Sequence, residues 1–162
     1  MAVDVASSRI YASFDDWDAS ASGFLNSYDA SALLTALEIP TPAQLWRQTH
    51  FGTTANTGNA ADSADPDGDG LANLLEYALG TLPTAANASP VAVSSAGGYL
   101  QLTVTKNAAA TDVTFAAESS GDLTTWSEAA TVVLTNDAST FTARDAVTLG
   151  PPRFLRLKVT RP

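Results

Sequence analysis

The stretch Asp65-Pro66-Asp67-Gly68-Asp69-Gly70-Leu71-Ala72-Asn73-Leu74-Leu75-Glu76 carries four carboxylates in twelve residues. Three of them alternate along the chain, and a glycine follows the third. Alternate positions of a short loop can face one centre, where a hard divalent cation takes roughly six to eight oxygens at about 2.3–2.6 Å. We therefore predict a calcium loop, in preference to a solvated acidic turn.

The twelve positions match the EF-hand type of calcium loop, in which fixed positions provide the oxygen ligands. The predicted ligands are Asp65, Asp67, Asp69, the carbonyl of Leu71, Asn73 (directly or through water) and Glu76. Gly70 occupies the sixth position, where the chain turns sharply and a Cβ atom would clash. The predicted cofactor is therefore Ca²⁺.

The residues that follow the loop predict a helix over 73–79, which ends at Gly80 and has Pro83 beyond it. Its apolar stripe consists of Leu71, Leu75, Ala78 and Leu79. A metal ion would tie the acidic segment to the start of a helix that packs into a core. Asp62, three residues before the loop, is interpreted as an exposed turn residue in preference to an outer carboxylate.

Three helices are predicted before the loop. The first two occupy residues 13–28 and 30–38. The third begins at Thr41, because Thr41 and Gln44 form a capping box around Pro42, and it ends at Gly52. Residues 1–12 are interpreted as an N-terminal arm or a strand.

After Val91 the apolar period changes from that of a helix to that of a strand. Leu100, Leu102 and Val104, for example, alternate with polar residues. Strands are predicted at residues 99–105, 112–118, 131–134, 140–144 and 154–160. Short alternating strands separated by turn residues are typical of an antiparallel sandwich, Ig-like or fibronectin-like in class.

The predicted fold class is therefore α+β, with an N-terminal helical segment that carries the calcium loop, followed by the sandwich. The predicted divisions are an arm (1–12), a helical calcium-binding region (13–84), a linker (85–90) and a β-sandwich domain (91–162). The small residues of the linker mark the boundary between the two kinds of secondary structure.

Charge and composition exclude several classes of function. Of the 17 acidic residues 11 lie in residues 1–89, which hold only 2 of the 8 basic ones. Nucleic acid is not an expected partner, since its phosphates require clustered Lys and Arg. No apolar run approaches the ~20 residues of a membrane span. The chain has no cysteine, which rules out disulfides and thiolate metal sites.

The sequence offers little that would support catalysis, and we expect no enzyme. His50, the single histidine, is interpreted as a helix-end residue rather than a general base. Phosphate-binding and dinucleotide-binding glycine motifs are missing. Trp17, Trp46 and Trp126 are interpreted as core residues in preference to sugar-stacking platforms. A hydrolase with an undetected pair of acids is kept as an alternative.

Two segments of the chain resemble known modules. Residues 65–80 are similar to the calcium loops of dockerins and thrombospondin type 3 repeats. Together with 118–126 (ESSGDLTTW) and 153–159 (RFLRLKV), they more closely resemble a module near the C-termini of large secreted proteins of verrucomicrobial and planctomycete-type bacteria. The likeness spans roughly residues 41–162 and implies an extracellular or cell-surface location.

We therefore expect a non-catalytic, calcium-stabilised extracellular module with a structural, attachment or assembly role. The alternative is a carbohydrate-binding accessory module of a secreted polysaccharide-degrading enzyme, which would need an exposed planar ring. A further hypothesis is that copies associate through residues 1–12, with packing of this arm along the edge of its own domain as the equal alternative. The first residues, Met-Ala-Val-Asp-Val, lack the features of a signal peptide, so we expect a piece of a longer protein or another export route.

Overall fold

A computed structural model describes residues 39–150 and 152–162 with their side chains, and residues 2–4 and 9–11 as backbone. The chain divides into two units, Met1–Ile39 and Pro40–Pro162. In the first unit, β1 (Ala2–Asp4) and β2 (Arg9–Tyr11) pair in antiparallel orientation. The predicted helices over 13–28 and 30–38, and Trp17, lie outside the described residues.

Helix α1 (Pro42–Phe51) begins and ends as predicted. The Thr41 hydroxyl accepts the Gln44 N–H at 3.2 Å, and the Gln44 side chain accepts the Thr41 N–H at 2.7 Å. This reciprocal pair satisfies two N–H groups that the first turn leaves without helical partners. The helix ends at Gly52, whose φ of 70° is a left-handed conformation that favours glycine.

Helix α2 (Asn73–Leu79) also has its predicted bounds and ends at Gly80. Between the two helices the chain forms a short 3₁₀ turn at Gly58–Ala60. In the part of the chain that the structure describes, no helix has the length and apolar character needed to cross a bilayer.

Six antiparallel strands follow α2. They are β3 (Ala92–Ala96), β4 (Tyr99–Thr105), β5 (Thr114–Ser120), β6 (Thr131–Asn136), β7 (Thr140–Thr148) and β8 (Phe154–Thr160). Their order is β3-β4-β7-β6 in one sheet and β5-β8 in the other. The inner faces of the two sheets contribute to one core, so the α+β class and a sandwich-like arrangement are confirmed.

The strands differ from the prediction in number and in bounds. Three of them end later than predicted, β5 at Ser120, β6 at Asn136 and β7 at Thr148, and not at residues 118, 134 and 144. Strand β3 was not predicted, because all five of its residues are exposed on a sheet edge and show no apolar alternation. Strand β5 begins at Thr114 instead of residue 112. The reason is that the Asp112 carboxylate accepts hydrogen bonds from the Tyr77 hydroxyl and the Ala43 N–H, which ties it to the helices.

The sandwich core is built from alternate residues of both sheets and one residue of α2. The larger sheet contributes Leu102, Val104, Phe141 and Ala143, and the smaller one Phe115, Ala117, Leu155 and Leu157. Leu102 and Val104 are buried, as the alternation in β4 predicts. Leu79 joins this cluster, so the last turn of α2 is part of the sandwich core.

A second cluster joins both helices to the connection between β4 and β5. Its members are Ala43, Trp46, Leu74, Tyr77, Ala110 and Val113. Asn107 fastens this contact, because its side-chain amide donates to the Tyr77 carbonyl and its N–H to the Ala78 carbonyl, both at 2.8 Å. The predicted linker at 85–90 separates helix from strand along the chain, while the two parts share these contacts.

Candidate metal centre

The predicted calcium loop is shaped by its own aspartates. The carboxylate of Asp65 accepts the N–H groups of Gly68 and Gly70, both at 2.9 Å, and that of Asp67 accepts the Asp69 N–H at 3.2 Å. Side chains that accept backbone N–H groups a few residues ahead hold the chain in tight turns. As a result, one carboxylate oxygen from each of the three aspartates lies within 4.8 Å of the others.

Exposed acidic groups of this kind also occur without a metal. The buried polar groups nearby therefore give the stronger indication of a metal site. Glu76, in α2, is fully buried, and neither of its carboxylate oxygens has a hydrogen-bond partner among the residues that the structure describes. Burial, and then the negative charges of Asp67, Asp69 and Asp65, raises the pKa of Glu76 to about 7. A buried carboxylate of this kind requires either a proton or a cation.

Asn73 is the second buried ligand candidate, with a relative exposure of 1%. Its amide nitrogen donates to the carbonyls of Asn59 and Ala61, both at 2.8 Å. Its Oδ1 has no partner, and the same is true of the buried Oδ2 of Asp67. The buried atoms without partners on Asp67, Asn73 and Glu76 are thus all oxygen acceptors, the kind of ligand that Ca²⁺ prefers, and the Thr81 hydroxyl near Glu76 is also buried without a partner.

The structure brings together three of the six predicted ligands directly. Glu76 is outside the 4.8 Å group, although the three aspartates are close enough to shift its pKa. Leu71 follows the aspartates, and its N–H donates to Asp69 Oδ1 at 2.8 Å. Asn73 and Glu76 come from the first turn of α2. These residues fit a calcium ion, because all of them offer hard oxygen ligands.

Two contacts that support the loop could not be predicted from the sequence. The N–H of Asn87 donates to Asp69 Oδ2 at 2.7 Å and, ahead of the Leu71 N–H, lowers the pKa of Asp69. Asp62 is not the exposed turn residue that we predicted. It is half-buried, and its carboxylate accepts hydrogen bonds from Arg47 and Arg161. Both contacts join residues that are distant along the chain.

The other candidate functional side chains differ in their surroundings. Trp46 packs in the second cluster, as predicted, whereas Trp126 belongs to neither cluster and is not the core residue that we predicted. His50 lies against Trp46, with 4.9 Å between ring centroids, and burial lowers the pKa of His50. The guanidinium of Arg156 covers the ring of Trp126 at 4.1 Å. A sugar cannot stack on that covered face, and the carbohydrate-binding alternative stays a prediction.

The raised pKa of Glu76 predicts how the metal-free protein responds to pH. The folded state holds this proton more tightly than the unfolded chain, whose carboxyl has its ordinary pKa of 4.5. The stabilisation is therefore fully present below that value and is lost as the pH rises through about 7. We expect the melting temperature in EDTA to fall between pH 5 and about pH 8, and calcium affinity to rise over the same range.

Thermal unfolding of the wild type and of Glu76→Gln, followed by circular dichroism at several pH values, checks this expectation. The variant cannot titrate at residue 76, so its metal-free profile should lack this decline. His50 and the other titratable groups are common to both proteins. Parallel profiles for the two proteins would contradict the prediction.

Comparison of the chain with protein-family models, curated proteins and solved structures found no match. The functional conclusion therefore depends on the geometry of the loop and on the burial of the residues beside it.

Proposed function

We propose that the protein is a non-catalytic structural module, stabilised by one calcium ion in an EF-hand-type loop and completed by an Ig-like or fibronectin-like sandwich. The observation that carries the proposal is the set of buried oxygens without partners on Asn73 and Glu76, beside three aspartates. A bound calcium ion supplies the positive charge that offsets the repulsion among these carboxylates and replaces their missing partners.

Helix α2 gives the ion its structural effect. Its first turn carries Asn73 and Glu76, and its last residue, Leu79, lies in the sandwich core. A calcium ion bound at the start of α2 would therefore restrain a helix that contributes side chains to both buried clusters. This arrangement favours a role for calcium in stability.

Two other groups with perturbed pKa values, Tyr77 and Asp145, have structural partners, which supports a non-catalytic role. Burial and the hydrogen bond to Asp112 keep Tyr77 protonated by raising its pKa well above the usual value. Asp145 is fully buried and is held by two hydrogen bonds from Arg153, which lower its pKa against the opposing effect of burial.

An extracellular or cell-surface location fits this proposal. Calcium sites of extracellular modules need a Kd of only about 10⁻⁴–10⁻³ M, because free calcium is plentiful there. A rigid, calcium-held module suits attachment of a larger exported protein or assembly of several copies. We include both roles in the proposal.

Isothermal titration of chelator-treated protein with CaCl₂ tests the proposal. We expect one ion per chain and weaker binding of MgCl₂, because Mg²⁺ gives up its water ligands reluctantly. Asp67→Asn should weaken calcium binding on the order of 10-fold or more, since the number of charged ligands sets the affinity.

The matched control is Asp137→Asn. This exposed carboxylate also accepts backbone N–H groups in a turn, those of Ser139 and Thr140, and it lies in the connection between β6 and β7. Its loss should leave calcium binding unchanged. Absence of binding by the wild type at millimolar calcium would overturn the proposal.

A further inference from the structure

The start of α2 is held by the segment 56–64, which precedes the loop. Helix α2 has no side-chain cap, because Ala72 occupies the N-cap position. The first N–H groups of a helix have no helical acceptors and need others. Here the N–H groups of Asn73 and Leu74 and the side-chain amide of Asn73 donate to carbonyls of this segment, those of Asn59, Ala61, Asp62 and Ala64.

Asp62 in turn fixes the segment. Its Oδ1 accepts from Arg47 Nη2 at 2.8 Å, and its Oδ2 accepts from Arg161 Nη2 at 2.7 Å. Its N–H donates to Asn56 Oδ1 at 2.7 Å. Arg47 comes from α1 and Arg161 directly follows β8, so one carboxylate joins residues far apart in the chain.

Because Arg47 is buried, loss of its ion pair with Asp62 would be energetically costly. The Arg47 side chain is only 3% exposed, and among the residues that the structure describes Asp62 is the acid that pairs with it. A buried charge that loses its partner is strongly unfavourable. A displacement of Asp62 would therefore leave the buried guanidinium of Arg47 without its acidic partner.

We do not include Asp62 among the ligands, since each of its carboxylate oxygens already accepts a hydrogen bond from an arginine. Asp62 holds the segment whose carbonyls accept hydrogen bonds from the Asn73 side-chain amide and so orient it. The Oδ1 of Asn73 is one of the buried oxygens without a partner. Displacing the segment would shift Asn73 and, with it, the first turn of α2 that carries Glu76.

We propose that Asp62 and Arg161 are positioning residues of the calcium site, so that docking of the residues after β8 sets the affinity of the loop for calcium. This inference rests on the proposed function, because it assumes that the loop binds calcium. It adds that residues outside the loop, and up to 99 positions from Asp62, determine how tightly it does so.

The test compares calcium dissociation constants, measured by titration at a temperature where circular dichroism shows each variant folded. Replacement of residues that orient metal ligands usually weakens metal binding about 10-fold to 100-fold. We expect about 10-fold for Arg161→Gln and up to about 100-fold for Asp62→Asn. Arg161→Lys should recover part of the affinity, because it restores the positive charge beside Asp62.

A second readout separates positioning from loss of stability. The luminescence lifetime of Tb³⁺ in H₂O and D₂O reports how many water molecules coordinate the bound ion. A displaced Asn73 would be replaced by water, so the two variants should show more coordinated water than the wild type. Should Asp62→Asn fail to fold, Arg161→Gln still decides the question, because it keeps the Arg47–Asp62 pair.

The control is Asp145→Asn, which breaks another buried ion pair, with Arg153, within the sandwich. It should lower the melting temperature and leave both calcium affinity and Tb³⁺ hydration at wild-type values. The inference is overturned if Arg161→Gln and a folded Asp62→Asn bind calcium as the wild type does, or if the control weakens binding equally. Failure of the wild type to bind calcium would instead overturn the proposed function itself.

Discussion

We expect calcium to raise the melting temperature of the wild-type protein strongly, and Glu76→Gln to remove most of this increase. An ion that binds only the folded state contributes about 4 kcal/mol when its free concentration is a thousandfold above Kd. For a chain of this size that corresponds to a shift on the order of 10 °C. Glu76→Gln withdraws the buried carboxylate whose two oxygens have no other partner.

In EDTA near pH 8, the melting temperature of Glu76→Gln should lie slightly above that of the wild type, the reverse of their order in calcium. The variant then lacks the buried negative charge that the wild type carries without compensation. The control is Glu128→Gln, which removes a half-exposed carboxylate paired with Lys158 on the sandwich. It should change the melting temperature equally with and without calcium.

Differential scanning calorimetry of the three proteins in calcium and in EDTA measures these shifts. Equal melting temperatures of the wild type in both buffers would contradict a stabilising role for calcium. If calcium also failed to raise the melting temperature of Glu128→Gln, the calcium-dependent stabilisation could not be assigned to the loop.

The second large effect is expected for Leu79→Ala. Leu79 is the last residue of α2 and lies in the sandwich core with Leu102 and Phe141, at a relative exposure of 8%. Truncating a buried leucine leaves a cavity and typically costs about 2–5 kcal/mol. Urea unfolding should show this loss with and without calcium, since no predicted ligand is touched.

The matched control is Leu82→Ala, three residues further along the chain, where the side chain is 51% exposed. Its effect should stay within about 0.5 kcal/mol, as is usual for surface positions. Similar losses for the two variants would mean that α2 does not share a core with the sandwich.

Features that depend on near neighbours in the chain were predictable from the sequence. The capping box at Thr41 and the glycine at 52 placed both ends of α1, and Gly80 placed the end of α2. The spacing of Asp65, Asp67 and Asp69 indicated that their carboxylates would converge, and they do. Caps, turns and apolar periods act over a few residues, so their outcome is written in short stretches of sequence.

Strands were predictable where one face is buried. The alternation in β4 identified Leu102 and Val104 as core residues, because a half-buried strand requires a period of two. The pattern gave no indication of β3, an edge strand whose residues are all exposed. Such a strand forms through backbone pairing with β4, which places no demand on its side chains.

The support of the candidate metal site depends on the tertiary structure alone. No local pattern indicates that Asp62 meets Arg161, or that Asn87 donates to Asp69. The burial of Glu76 likewise follows from how α2 packs between two clusters of side chains. Contacts between residues distant along the chain form only when the whole unit folds, because the apolar faces of helices and sheets must be buried together. The twelve-residue stretch therefore contains the candidate ligands, while the fold determines which of their oxygens are buried without partners.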